Sequence, residues 1–145
     1  MQLALATGGT LLAIAALHAY WGVGGVWPGT DERSCARTVG GFPGAVRMPG
    51  PASCFAVAAA LFVAAIIALA LGGILTLPFP ALLLSLGGFG AALVFVGRGF
   101  AGFTLIWRRH TPEQPFAKLD VRYYSPLCLA IGAAFLILIL QGANG

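Results

Sequence analysis

The sequence predicts an all-α membrane protein, folded as a bundle of four transmembrane helices. Of its 145 residues, 59% are hydrophobic and only 8% are charged, whereas about a quarter of an average soluble domain is charged. Four apolar runs each approach or exceed the ~20 residues that an α-helix needs to cross a bilayer. Strands are not expected, because the runs lack apolar–polar alternation and lipid cannot satisfy the open edge of a sheet.

The four spans are expected at about residues 3–26, 51–75, 79–107 and 124–141, within a single transmembrane domain that covers residues 1–145. The first run differs from a cleaved signal peptide, because no basic residue precedes it and it is longer than a signal core. The last span is expected to begin at Ser125, with this serine as the N-cap and Pro126 in the first helical position.

The three connections differ in length and polarity. Residues 27–50 form a long Gly/Pro-rich loop, and its segment Thr30–Arg37 has acidic residues before basic ones, an order that suits the dipole of a short helix. Residues 76–78 are few and uncharged, which predicts a tight hairpin between the second and third spans. The third connection, residues 108–125, is polar again.

Basic residues concentrate on one side of the predicted bundle. Seven of the eight lie in the first and third connections, and none lies in the second connection or at either terminus. The positive-inside rule therefore places these two loops in the cytoplasm and both termini outside. Trp27 and Trp107 flank the same loops, as an interfacial aromatic belt would. Cys35 and Cys54 are then expected to be thiols, because the cytoplasm is reducing.

The second predicted span carries a small residue at every fourth position, namely Ala56, Ala60, Ala64, Ala68 and Gly72. In lipid, helices associate by close approach of their backbones, which small residues permit. The stripe therefore predicts a helix contact, either within the bundle or between two copies of the chain. We expect the internal contact, since a four-helix chain must first pack its own helices.

Two ionisable side chains lie within the predicted spans, where such groups are costly and usually functional. His18 is nine residues from Trp27, and Arg98 is nine residues from Trp107, so that each lies ~13 Å from its aromatic belt. We interpret the two as parts of one interior pocket for an anionic or carbonyl-bearing head group. The same space would be lined by Tyr20, Trp21 and Tyr124. The alternatives are that Arg98 snorkels to the lipid head groups and that His18 makes a buried hydrogen bond.

Features of enzymes are scarce in this sequence. All four acidic residues lie in the predicted loops, and no nucleophile stands beside a base. Cysteine spacings typical of metal sites are absent, and the basic residues are too few and too separated for nucleic-acid binding. No catalytic residue, metal ligand or cofactor is therefore predicted, and a non-catalytic role is favoured over an enzyme.

Two segments have a family resemblance: residues 17–25 together with Trp27, and residues 116–128, which include the run Tyr123-Tyr124-Ser125-Pro126. They resemble a bacterial family of small four-span membrane proteins, the domain of unknown function DUF3995. The resemblance covers essentially the whole chain and implies four spans in a bacterial inner membrane. It implies no activity, but it draws attention to His18, Tyr20, Trp21, Asp120, Tyr124 and Ser125.

Three functional hypotheses follow, each with membrane lipid as a partner. In the first, the protein binds a lipid-like or amphipathic ligand; a variant of this hypothesis is that it also transports the ligand. The ligand-binding residues would be His18, Tyr20, Trp21, Arg98, Asp120 and Tyr124. In the second, it is an accessory or structural subunit of a larger membrane complex or of a homo-oligomer. In the third and least favoured, it is a membrane enzyme that uses His18 as acid or base, with Asp120 and Tyr124 near the interface.

Overall fold

The structure is a computed structural model that describes residues 1–143. Throughout this range the regular secondary structure is helical. The elements are α1 (Gln2–Gly22), α2 (Glu32–Val39), α3 (Pro51–Leu71), α4 (Ala81–Ala101), α5 (Leu105–His110), α6 (Phe116–Leu119), a π-helical turn (Asp120–Tyr124) and α7 (Ser125–Ala143). Four segments are long and apolar enough to cross a membrane: α1, α3, α4 and the continuous stretch Phe116–Gly142. The predicted four-helix membrane fold is confirmed.

The four spans pack as two pairs. Helix α1 lies against α3, and α4 lies against α7, while fewer contacts join α3 to α4 and join α7 to α1 and α3. The interior where the pairs meet holds the buried side chains Leu11, Phe135 and Leu138. In this arrangement α1 and α4 occupy diagonal positions, which keeps their polar residues apart.

The small-residue stripe of α3 is divided between two environments. Ala64 and Ala68 are buried in the core, and a Cβ added at Gly72 would collide with a side chain of α1. Ala56 and Ala60 are exposed. The expected internal contact therefore forms along the half of the stripe near the α3–α4 connection, where small residues let the backbones approach.

Three helices end earlier than their hydropathy predicted, and two of these ends are closely followed by a glycine with a positive φ. Helix α1 stops at Gly22 and α3 at Leu71, and the nearby Gly24 (φ +92°) and Gly73 (φ +70°) take left-handed backbone conformations. Glycine adopts this conformation without steric cost, which is why it commonly follows a helix end. Helix α4 ends at Ala101, and part of the predicted third span is instead the separate short helix α5.

The two long loops pack on each other at one end of the bundle. Glu113 Oε2 accepts a hydrogen bond from Arg37 Nε at 3.1 Å, and its Oε1 accepts one from the backbone N–H of Gly44 at 3.2 Å. The ring of Phe116 lies where a side chain at Gly41 (φ +68°) would stand. The two loops therefore share one side of the bundle, as the four predicted spans require. Which side of the membrane they face stays a prediction.

Helix α2 forms inside the first loop, where the order of charges predicted a short helix. Asp31 Oδ1 accepts the backbone N–H of Ser34 at 2.7 Å, and Ser34 Oγ accepts the backbone N–H of Asp31 at 3.1 Å. The bond from the Ser34 backbone is the main cause that lowers the pKa of the Asp31 carboxyl, because it stabilises the ionised form. This capping box fixes the start of α2, of which Glu32 is the first residue.

The last membrane helix begins earlier than predicted. Helix α6, the π-helical turn and α7 form one continuous stretch, and Ser125 has helical backbone angles (φ −67°, ψ −46°). Ser125 therefore lies inside the helix and is not its N-cap. The same correction moves Asp120 from the third loop into the last helix.

Candidate functional site

Four polar side chains form a cluster where the end of α4 meets the start of the last helix. Arg98 Nη2 donates to Asp120 Oδ1 at 2.7 Å, and Arg98 Nη1 donates to Ser125 Oγ at 3.3 Å. The Ser125 hydroxyl donates in turn to Asp120 Oδ1 at 3.2 Å. Trp107 Nε1 donates to Asp120 Oδ2 at 2.9 Å, and the guanidinium carbon of Arg98 lies 4.6 Å from the centroid of the Trp107 ring. We call these four residues the Arg98 cluster.

The backbone around the Arg98 cluster has two special features. In the π-helical turn, each N–H reaches the carbonyl five residues earlier, and the Ser125 N–H accordingly donates to the Asp120 carbonyl. At the end of α4, a Cβ added to Gly102 would collide with the Ser125 hydroxyl and would lie 2.9 Å from Asp120 Oδ2. Glycine at this position therefore lets α4 approach the last helix closely enough for the cluster to form.

The Arg98 cluster is balanced in charge and in hydrogen bonds. Asp120 is only 2% exposed, and burial of a carboxylate is costly unless the group is paired and hydrogen-bonded. Here its two oxygens accept three side-chain hydrogen bonds, one of them from the oppositely charged Arg98. Every buried side-chain nitrogen and oxygen atom in residues 1–143 has a hydrogen-bond partner. The side chain of Arg98 is still 30% exposed, so the cluster has one accessible face.

The sequence interpretation of Asp120 as a loop residue is wrong, because the last helix extends past it. The sequence predicts Trp107 only as a belt residue and does not single out Gly102. A usable signal was Arg98 itself, because a guanidinium in an apolar span requires a partner.

His18 and Trp21 form a second group, on α1. His18 Nδ1 lies 2.9 Å from the carbonyl oxygen of Ile14 in its own helix, and the His18 and Trp21 ring centroids are 4.8 Å apart. Trp21 Nε1 donates to the carbonyl of Trp27 at 2.7 Å. Among residues 1–143, no hydrogen bond, ion pair or ring contact joins His18 to Arg98. Neither of the two cavities described below is lined by both residues, and their helices are diagonal in the bundle.

The two tyrosines expected in the same pocket lie elsewhere. Tyr20 is 44% exposed, and its ring packs over the turn that follows α1. The Tyr124 hydroxyl donates to the Thr38 carbonyl at 3.4 Å, and the Tyr124 ring packs against Phe116. Tyr124 thus connects the last helix to the first loop. Of the six predicted ligand-binding residues, the structure brings together two pairs, Arg98 with Asp120 and His18 with Trp21.

An apolar groove of about 640 Å³ runs between α3 and α4, and we call it the α3–α4 groove. Arg98 is the one charged residue among those that line it. The other lining residues are small or apolar and include Val57, Ala60, Ala64, Ile67, Gly87, Gly90, Ala91 and Val94. At Gly90 the groove is open, because a Cβ added there meets no atom within 4 Å.

A second cavity, of about 480 Å³, lies at the loop end of the bundle, and we call it the loop-end cavity. It is bounded by the end of α1, the start of α2 and the start of α3. Its lining residues include Trp21, Gly24, Glu32, Met48 and Gly50. Glu32 Oε1 accepts the backbone N–H of Met48 at 3.1 Å, which fixes the carboxylate against the segment before α3.

Among residues 1–143, no three His, Cys, Asp or Glu side chains are grouped so that they could hold a metal ion.

The comparisons with known proteins place the chain in a family. No curated protein and no solved structure matches the chain. A family model, described as a protein of unknown function (DUF3995), matches residues 11–135. This match reaches from α1 into α7 and includes the whole Arg98 cluster. With its four apolar helices, this multi-pass membrane protein belongs to the DUF3995 family.

Proposed function

We propose that this small membrane protein binds a single-chain, lipid-like molecule in the α3–α4 groove, with the polar end of the molecule at Arg98. The observation that supports the proposal most directly is the lining of the groove, which is apolar apart from Arg98 at one end. An amphipathic molecule has the same distribution of polarity along its length. The volume of about 640 Å³ lies in the range of ordinary ligand sites, which is about 300–1,000 Å³.

The charge of the Arg98 cluster indicates which polar group suits this end of the groove. Asp120 already neutralises Arg98 through the ion pair at 2.7 Å, so a second anion would gain little and would lie close to a buried carboxylate. A neutral carbonyl oxygen needs only a donor, and a guanidinium has five N–H groups, of which two are directed to Asp120 and Ser125. We therefore favour a carbonyl-bearing ligand over an anionic one.

His18 is not part of this proposed site, because it bonds within α1 and packs against Trp21. The arrangement also does not favour an enzyme that combines His18 with Asp120 and Tyr124. Asp120 is engaged by Arg98, Trp107 and Ser125, and the Tyr124 hydroxyl is directed to a backbone carbonyl of the first loop. These three residues are thus held in separate contacts.

Native mass spectrometry of the detergent-purified protein with monoolein, a neutral single-chain ester, tests the proposal. In Gly90→Leu, a branched side chain enters the groove at a point where the protein leaves open space. We expect this variant to lose saturable binding of monoolein while its melting temperature stays near that of the parent. Gly9→Leu is the matched control, because a Cβ at Gly9 of α1 also meets no atom within 4 Å, and it should bind like the parent.

Equal binding of monoolein by Gly90→Leu and by the parent would contradict the proposal. So would a dimer, or a complex with another membrane protein, that the parent forms and Gly90→Leu does not. That result would assign the α3–α4 groove to a helix of another chain, as the accessory-subunit hypothesis requires.

A further inference from the structure

The loop-end cavity differs from the α3–α4 groove in its chemistry. Its lining carries one formal charge, the carboxylate of Glu32, and one large aromatic ring, the indole of Trp21. No lysine or arginine lines it, although the chain as a whole has a net charge of +4. The lining of the cavity therefore carries a net negative charge in a basic protein, while Arg33 and Arg47 adjoin the lining residues Glu32 and Met48 in the sequence.

Both walls that carry this chemistry are held in place before any ligand arrives. The Glu32 carboxylate is fixed by the backbone N–H of Met48 and by its position in the first turn of the capped helix α2. The Trp21 indole is fixed at its N–H by the Trp27 carbonyl, 2.7 Å away, and its ring packs against His18. A preorganised site loses little conformational entropy on binding.

The helix ends around the cavity contribute a smaller potential of mixed sign. The C-terminal end of α1 contributes partial negative charge, and the N-terminal ends of α2 and α3 contribute partial positive charge. Each is equivalent to about half an elementary charge, so the three ends together leave about half a positive charge. The full negative charge of Glu32 exceeds this remainder, and a cation is therefore favoured over an anion.

We propose that the loop-end cavity binds an ammonium group, with Glu32 as its counter-ion and Trp21 as an aromatic wall. A carboxylate together with a tryptophan ring is well suited to ammonium, because the ring attracts a cation without requiring a hydrogen bond. The group can belong to an aminophospholipid head group or to a free amine, since the cavity lies at the loop end of the membrane helices, where head groups stand. This site is independent of the α3–α4 groove.

Saturation-transfer NMR with choline chloride, on the protein in a non-ionic detergent at constant ionic strength, tests the proposal. We expect the choline methyl signal to titrate saturably with the parent. Glu32→Gln keeps an oxygen for the Met48 N–H but removes the charge, and it should weaken choline binding by about tenfold or more, which is about 1.4 kcal/mol. Glu113→Gln is the matched control: it removes one negative charge from the same end of the bundle, outside this cavity.

A second pair of variants tests the aromatic wall. Trp21→Leu should weaken choline binding by about two- to fivefold, the value of a cation–π contact at a partly exposed site. Trp27→Leu retains the backbone carbonyl that holds Trp21 and should bind like the parent, because the Trp27 side chain is exposed and does not line the cavity. Equal loss of choline affinity in Trp21→Leu and Trp27→Leu would contradict the role of Trp21 as the aromatic wall.

Phospholipids added to the detergent distinguish the two sources of the ammonium group. Displacement of choline by phosphatidylethanolamine, and not by phosphatidylglycerol, would assign the site to a lipid head group. Saturable choline binding that neither lipid displaces would assign it to a soluble amine. The absence of saturable choline binding to the parent would overturn the proposal, as would equal binding by Glu32→Gln and Glu113→Gln or equal displacement by the two lipids.

Discussion

Arg98 Nη2 lies 2.7 Å from Asp120 Oδ1, which joins the last turn of α4 to the π-helical turn that precedes α7. The two side chains are unequally buried: 30% of the Arg98 side chain is exposed but only 3% of the Asp120 side chain. Because of this unequal burial, removal of Arg98 and removal of Asp120 should change the stability of the protein by different amounts.

Arg98→Leu should destabilise the protein more than Asp120→Asn does. Loss of Arg98 leaves a buried carboxylate without its counter-ion, which costs about 3–5 kcal/mol when the group cannot reach water. Loss of the Asp120 charge leaves a long, partly exposed guanidinium that can extend towards the head groups. Thermal unfolding in detergent measures both. The double variant should be more stable than the sum of the two single losses predicts, and strict additivity would show that the pair is not coupled.

Gly102→Ala should lower stability although the backbone angles at Gly102 (φ −59°, ψ −22°) are helical and suit alanine. The reason is steric, because the added methyl group would overlap the Ser125 hydroxyl and crowd Asp120. Overpacking of this kind typically costs about 1–3 kcal/mol. Gly97→Ala is the control in the same helix, since a Cβ there meets no atom within 4 Å. A melting temperature for Gly102→Ala at or above that of Gly97→Ala would count against the close approach of α4 to the last helix at Gly102.

Asp120→Asn should change the ligand preference of the α3–α4 groove. In the parent, the neutral ester monoolein should bind better than oleate, because Asp120 cancels the charge of Arg98. Without the aspartate charge, the guanidinium can attract a carboxylate, so oleate binding should rise relative to monoolein binding. Competition between the two lipids in native mass spectra measures this ratio. If the ratio of oleate to monoolein binding is the same in the parent and in Asp120→Asn, Arg98 does not contact the polar end of the ligand.

The two packed loops should face the cytoplasm, and both termini should face the opposite side. The seven basic residues of these loops are the reason. A C-terminal alkaline phosphatase fusion should therefore be active, and a C-terminal green fluorescent protein fusion should be dark. The reverse pattern would invert the assignment and would place Cys35 and Cys54 on the side where disulfides form.

The spans and the shared side of the loops could be predicted because both depend on local sequence. Apolar runs of about 20 residues mark membrane helices wherever they occur, and an even number of spans between the two loops puts those loops on one side. The short helix α2 was also predictable, since the order of charges in Thr30–Arg37 reflects a local dipole.

The pairing of polar residues could not be predicted in the same way. His18 and Arg98 were assigned similar depth, but depth says nothing about which helices are neighbours, and α1 and α4 are diagonal. The polarity of residues 108–125 predicts a loop at Asp120, whereas this residue is helical and its side chain bonds to Arg98 and Trp107, contacts that no local pattern reveals. The resemblance to a family pointed to Asp120 and Ser125 without indicating their partner.

The π-helical turn lets the segment from Asp120 to Ser125 hold one more residue than an α-helical turn while α7 keeps its direction. An α-helix advances by about 100° for each residue, and each residue of the wider π-helical turn advances by less, so five residues there cover nearly the angle of four in an α-helix. Deletion of one residue within the turn would therefore convert it to α-helix and leave Phe135 and Leu138, now wholly buried, facing the core. Deletion of one residue from α7 itself, between the turn and Phe135, would instead rotate both side chains by about 100°, so the turn is where the last span can absorb a change in length.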